Sequence, residues 1–237
     1  MILLICALFL ILSLTTLFIT DNSIKPYEKN TDLFLKILFI FIGILLFFIS
    51  GFRAVGIDRD YYNYINLYEE NKDSWSFLIE PSFILISKFV KTCFNSNVTF
   101  LFVLFALIGV STKMYAIKQL SEFWSLSLLL YISYSFILQD MTQIRVGVAA
   151  GFILLSIEPL YERKFWKFLI FSICAILFHY TALIIILLWF LNPTKINVKL
   201  YGLIIILVYL INLTSSFYIS ELLQYIPILP LQNKILA

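Results

Sequence analysis

Long apolar runs, separated by short polar stretches, set the rhythm of this chain. "LFLKILFIFIGILLFFIS" (33–50) is one, and the opening "MILLICALFLILSLTTLFIT" is another. Such runs recur over 1–19, 33–51, 98–117, 122–138, 144–161, 165–190 and 200–218. A helix rises 1.5 Å per residue, so runs of about 18 residues or more can cross a hydrocarbon core. The pattern predicts an all-α fold, a polytopic transmembrane helix bundle of about seven spans, with residues 1–237 as a single integral membrane domain. The opening run lacks a basic n-region and a small-residue cleavage site. It reads as a first membrane helix and not as a signal peptide.

Residues 53–97 break the pattern. The first part is polar; the second, "FLIEPSFILISKFVKTCFN", is apolar but carries Glu80, Pro81, Lys88 and Lys91. Cytoplasmic loops favour Lys and Arg. The basic stretches "KPYEKN" (25–30), the pair Lys113 and Lys118, and "ERKFWK" (162–167) all face one side if residue 1 starts outside. The segment near 77–95 is then re-entrant or interfacial. Residues 53–80 become an outer-face loop, joined there by Glu80 and "QDMTQIR" (139–145). Lys195 and Lys199 also fall outside, against the rule.

Composition narrows the classes. The chain is 62% hydrophobic and 13% charged, against about half and a quarter for soluble domains. A net charge of +3 with no basic block gives no nucleic-acid footprint. Cys6, Cys93 and Cys174 show neither metal spacing nor a disulfide framework, and one histidine excludes a multi-histidine metal site. No P-loop, G-x-S-x-G or H-E-x-x-H motif occurs, so a nucleotide-driven pump is disfavoured. The sequence requires no metal or other cofactor.

The polar residues that remain are few. In "GFRAVGIDRDYYNY" (51–64), Arg53-x-x-Gly56-x-Asp58 predicts a tight turn at a helix end, with glycine allowing positive φ. Asp58 or Asp60 can cap a following helix, on which Tyr61, Tyr64 and Tyr68 share one face. Two readings stand: a capped interfacial helix in an aromatic belt, or a ligand mouth in which Arg53 meets phosphate, Asp58 a hydroxyl and the tyrosines sugar rings. In 137–151, Asp140 and Gln143 lie on one face, and Arg145 sits just inside the next span. An arginine in hydrocarbon costs about 2.5–3.5 kcal/mol or more and marks a candidate site. The alternative is a structural ion pair with Asp140 or Asp58. Gly147 and Gly151 form G-x-x-x-G, which fits close helix packing. His179 lies inside the 165–190 run, roughly 20 Å from its start. It is either a satisfied core histidine or a proton carrier. Glu80-Pro81 opens the 77–95 helix, as cap or as partner to an arginine. Glu158-Pro159 marks a kink or a helix end.

The ordered set "GFRAVGIDRDYYNY", "IEPSFILISKFVK", "DMTQIRVGVAAGFILLSIEPLYERK" and "AILFHYTALIII" resembles the EpsG family of Wzy-like O-antigen and exopolysaccharide polymerases, over about residues 33–190. The resemblance implies a multi-pass bacterial inner-membrane glycosyltransferase joining repeat units on undecaprenyl pyrophosphate at the periplasmic face. Its partners would be a lipid-linked oligosaccharide, membrane lipid and a chain-length regulator protein. Arg53, Gly56, Asp58, Glu80, Gln143, Arg145 and His179 are the positions that match by motif; Arg53 and Arg145 would bind the pyrophosphate, with Gly56, Glu80 and Gln143, and beside them Tyr61 and Asp140, around the substrate. His179 or Asp58 would take the acceptor proton. Family members usually run beyond 300 residues, so this chain is expected to be a short variant or a C-terminally truncated product. Rival readings are a flippase of the same lipid-linked saccharide, an acyltransferase, and a non-catalytic assembly subunit.

Overall fold

The computed structural model describes residues 12–13, 29–70, 79–190, 202, 203, 206 and 209. Residues 1–191 form one unit and 192–237 a second, in which the described positions are helical and Leu203, Ile206 and Tyr209 are exposed. Every element among the described residues of the first unit is helical. In order they are α1 (Lys29–Gly51), α2 (Tyr61–Glu70), α3 (Pro81–Cys93), α4 (Thr99–Leu120), α5 (Trp124–Leu130), a π-helical run (Tyr131–Thr142), α6 (Ile144–Tyr161), α7 (Phe165–Phe178), a 3₁₀ turn (Tyr180–Ile184) and the short α8 (Ile185–Leu188).

Among the described residues, three helices are long and apolar enough to cross a membrane: Leu33–Gly51, Thr99–Leu120 and Ile144–Tyr161. They coincide closely with the runs at 33–51, 98–117 and 144–161. α1 shows why. Leu35, Phe39, Ile42 and Leu46 form a buried stripe at helical spacing, yet its other faces present Leu33, Phe34, Ile37, Ile40, Phe41 and Ile44 to the surroundings. A helix apolar all round belongs in lipid.

α4 is the axis of the unit, packed against α1 on one flank and α6 on another, and α6 packs in turn on α7. The G-x-x-x-G pair lets α6 approach two neighbours closely, α4 at Gly151 and the π-helical run at Gly147. A Cβ on Gly151 would collide with Thr112 Oγ1, and one on Gly147 would lie 2.9 Å from the Gln139 carbonyl oxygen. The packing reading of that motif therefore holds. Gly151→Val should force α4 and α6 apart at a cost of about 1–3 kcal/mol. The check is a lower melting temperature of the detergent-purified protein; an unchanged value would mean the seam can yield.

Four expectations are corrected or bounded. Lys113 marks no loop; it lies inside α4, 1% exposed, because α4 runs on to Leu120. The run at 122–138 becomes α5 followed by the π-helical stretch, displaced to 124–142. The run at 165–190 is broken at His179, where the backbone turns extended (φ −155°, ψ 120°). The expected spans at 1–19 and 200–218 lie almost wholly outside the described residues, so about seven spans reduces to three long ones among those described. α3, at 13 residues, reaches only about 20 Å, short of a full crossing.

The basic turn after α6 ends that helix two residues past Pro159. Arg163 takes φ 57° there and donates from Nη1 to the Trp189 carbonyl, 2.7 Å away. The turn is thereby tied to the end of α8.

Candidate functional site

Three helix ends meet at one carboxylate. Glu80 precedes Pro81 at the start of α3, in the extended conformation (φ −61°, ψ 139°) that suits an N-cap. A carboxylate there ordinarily accepts from its own helix. Glu80 makes no such bond. Its Oε1 lies 2.8 Å from His179 Nδ1, and its Oε2 pairs with Arg145 Nη1. Arg145 comes from the first turn of α6, just past a backbone break at Gln143 (φ −100°, ψ 65°). His179 comes from the break that ends α7.

Exposure divides the three. The Glu80 side chain is 5% exposed, Arg145 26% and His179 28%. The anion is thus the buried hinge of the group, and the cation and imidazole are its accessible arms. Facing a carboxylate, Nδ1 donates, so the neutral ring keeps its lone pair on Nε2. The Arg145 guanidinium carbon sits 5.6 Å from the Tyr64 ring centre and 5.7 Å from that of Phe83. Burial pushes the Tyr64 phenol above its ordinary value, with Arg145 pulling the other way. Tyr180 donates its hydroxyl to the Ile79 carbonyl at 3.2 Å, which ties the residue after His179 to the residue before Glu80.

Arg53 makes a second cluster, turned inward. Nε donates to the Ser50 carbonyl (2.9 Å), Nη1 to Asp58 Oδ2 (3.1 Å) and the Met141 carbonyl, and Nη2 to the Asp140 carbonyl (2.9 Å) and Ser50 Oγ (3.3 Å). A guanidinium has five N–H donors, and here all five meet protein acceptors. Burial lowers the Arg53 pKa, and Asp58 opposes the shift. Two of these acceptors are the last carbonyls of the π-helical run, where a cation is favoured. Gly56 takes φ +69°, as expected of the turn, and Asp58 Oδ1 accepts from the Asp60 N–H at 3.1 Å. Arg53→Lys leaves at least two of these acceptors without a donor. We expect a loss on the order of 2–5 kcal/mol, read as reduced thermal stability of the purified protein.

Between the arginines stands an aromatic group. The Arg53 guanidinium covers Phe102 at 4.6 Å, Tyr61 stacks on Phe102 at 5.2 Å, and Tyr64 meets Phe102 edge-on at 6.4 Å. Tyr61, Tyr64 and Tyr68 share the buried face of α2, as their spacing predicted. Tyr61 is 6% exposed, so its ring is spent on packing in this structure.

Asp140 anchors a third cluster. Its Oδ2 accepts from Lys113 Nζ at 2.6 Å and from the Tyr131 hydroxyl at 2.9 Å. Both charged side chains are 2% exposed or less. The π-helical geometry makes this contact. Nine residues span about two and a half turns of α-helix, which would put Tyr131 and Asp140 on opposite faces. The wider i→i+5 turn takes roughly nine residues for two turns and aligns them.

The structure therefore joins Glu80, Arg145 and His179 in one group and Arg53 with Asp58 in another. Asp140 is drawn to Lys113 and Tyr131, so the ion-pair partner of Arg145 is Glu80, not Asp140 or Asp58. Gly56 and Gln143 are exposed beside these groups. Lys113, Tyr131 and Ser50 were missed by the sequence reading. A lysine within the apolar run "VSTKMYAI" was the available signal. Among the described residues no group of His, Cys, Asp and Glu has the makings of a metal site.

Comparison with known proteins adds the following. The sequence profile described as the EpsG family matches residues 36–236. The amylovoran biosynthesis protein AmsC of Erwinia amylovora is 31% identical over 117 residues, 48% of this chain and 31% of the relative. The match thus spans about a third of the length of that curated relative. No solved structure matches.

Proposed function

Because the chain belongs to the EpsG family, we propose that it is a polysaccharide polymerase of the bacterial inner membrane, acting on lipid-pyrophosphate-linked repeat units at the periplasmic face. The observation that carries this reading is the Glu80 carboxylate shared between Arg145 and His179. It sets a cation able to grip phosphate oxygens beside an imidazole able to take a proton, both partly exposed on a buried carboxylate. The similarity to a protein named for amylovoran biosynthesis supports a biosynthetic role of the same kind.

The proposed step is glycosyl transfer. An acceptor sugar hydroxyl at the non-reducing end of one lipid-linked unit attacks the anomeric carbon of the growing chain. The bond from that carbon to the pyrophosphate oxygen breaks, and the lipid pyrophosphate leaves with the electron pair. The hydroxyl proton passes to His179 Nε2, the nitrogen turned away from Glu80. Arg145, whose planar fork suits pyrophosphate, stabilises charge on the departing group. Glu80 fixes the tautomer and the ring. Arg53 with Asp58 holds the protein corner that carries Arg145. Tyr64 and Phe83 floor the anion side, while Gly56 and Gln143 border the approach.

The test is the location and length of product in a producing strain lacking this chain. Restoring the wild type should give long polymer. Restoring Arg145→Ala should leave single repeat units on lipid, already outside the membrane. Units trapped inside would instead identify a flippase. Normal polymer without any copy of this chain would make it an accessory subunit.

A further inference from the structure

The buried group Lys113–Asp140–Tyr131 stands at the corner of the chain that leads into Arg145, and that placement gives it a role. Asp140 and Arg145 flank the corner at which the π-helical run ends and α6 begins. Within that corner the Gln143 N–H reaches the Leu138 carbonyl at 3.1 Å, the Gln143 carbonyl accepts from the Gly147 N–H at 2.9 Å, and Thr142 Oγ1 donates to the Ile137 carbonyl at 3.1 Å. Two groups fix it in three dimensions: Arg53, which donates to the Met141 and Asp140 carbonyls, and the Asp140 side chain. Its Oδ1 is wedged between α4 and α6 at two glycines. A Cβ would lie 2.8 Å from it at Gly109 and 3.0 Å at Gly147. Its Oδ2 is held by Lys113 Nζ and the Tyr131 hydroxyl. Its carbonyl accepts from Ser50 Oγ at 2.8 Å and from Arg53. Gly147, against which it rests, is two residues beyond Arg145 on the same helix. Lys113 itself lies about three turns along α4 from Phe102; with Tyr131 it lines a separate cavity of about 610 Å³, and its Nζ is held by Asp140.

We infer that the Lys113–Asp140–Tyr131 group is a positioning anchor for Arg145: it pins the corner that presents the guanidinium to the pyrophosphate, and it touches no substrate. This rests on the proposed function for the identity of the ligand and not for the mechanics. The anchor acts through Arg145, so its removal must be felt only while Arg145 is present. A carboxylate left wedged between two helices without its cation would shift the corner, whereas neutral isosteres at both positions keep the shape and need no charge balance.

The experiment uses purified full-length chain and inorganic pyrophosphate, with binding read by calorimetry. Polymer formation from lipid-linked repeat units, extracted from a strain lacking this chain, is read in parallel. Lys113→Met should weaken pyrophosphate binding by about tenfold or more, and should change it by less than about twofold in an Arg145→Ala background. The double variant Lys113→Met with Asp140→Asn should return binding to within about threefold of wild type, and it remains informative if the single variant does not fold. Equal losses with and without Arg145 would overturn the inference, since they would mean that Lys113 meets the ligand directly or that the whole bundle has loosened. A double variant as weak as Lys113→Met would also overturn it. Wild-type protein that binds pyrophosphate with this coupling but builds no polymer leaves the anchor standing and removes the polymerase reading. Wild-type protein that binds no pyrophosphate removes both.

Discussion

Glu80→Gln should all but end polymer growth while leaving the protein in the membrane. The substitution keeps shape and volume, so the three helix ends still meet. What changes is the direction of donation. A carboxylate accepts from both neighbours. A glutamine offers one carbonyl oxygen and one amide, and the arginine, which can only donate, must take the oxygen. The amide then faces His179 Nδ1, which becomes an acceptor. The ring proton moves to Nε2, and the lone pair that should receive the acceptor proton is lost. General base catalysis accounts for about 10²–10⁴ in rate, and a fall in turnover within that range is expected. Lipid-linked single units should accumulate outside. Normal chain length with Glu80→Gln would show that the Glu80–His179 contact, 2.8 Å here, is only structural.

Arg145→Ala should be nearly as damaging, through the other arm. Removing one preorganised electrostatic group from a developing anion costs about 10²–10³ in turnover. It also strands Glu80 as a buried carboxylate facing only His179. Arg145→Lys discriminates between these effects. Lysine can neutralise Glu80 but presents a point charge and no fork. Turnover restored to wild type by lysine would mean that the cation serves Glu80 alone. Recovery of folding without recovery of turnover is the outcome expected of a residue that meets the leaving group.

Much of the fold was legible because lipid is an undemanding reader of sequence. The runs at 33–51, 98–117 and 144–161 needed only length and apolarity, and each forms a helix close to those bounds. Gly56 and the tyrosine face were legible because positive φ and helical spacing are local properties. The segment at 122–138 was misjudged because a π-helical stretch carries no compositional mark; it is held by a contact nine residues away that only the fold provides. Lys113 was misjudged because charge in a membrane sequence was assigned to loops, and a partner 27 residues further along was invisible. The site shows the same division. Arg53, Glu80, Arg145 and His179 could each be singled out as polar residues in costly places. The sequence had no means of showing that Glu80 serves two of them and that Arg53 serves the backbone.

The most direct measurement is polymer formation by this chain alone, purified and placed in lipid vesicles with extracted lipid-pyrophosphate-linked repeat units. Wild-type protein should yield a ladder of lengthened saccharides and release lipid pyrophosphate in step with each bond made, and His179→Ala and Arg145→Ala proteins of equal stability should yield neither. A ladder of the same length from either variant, or none from folded wild-type protein, would contradict the assignment of Glu80, Arg145 and His179 as the polymerising centre.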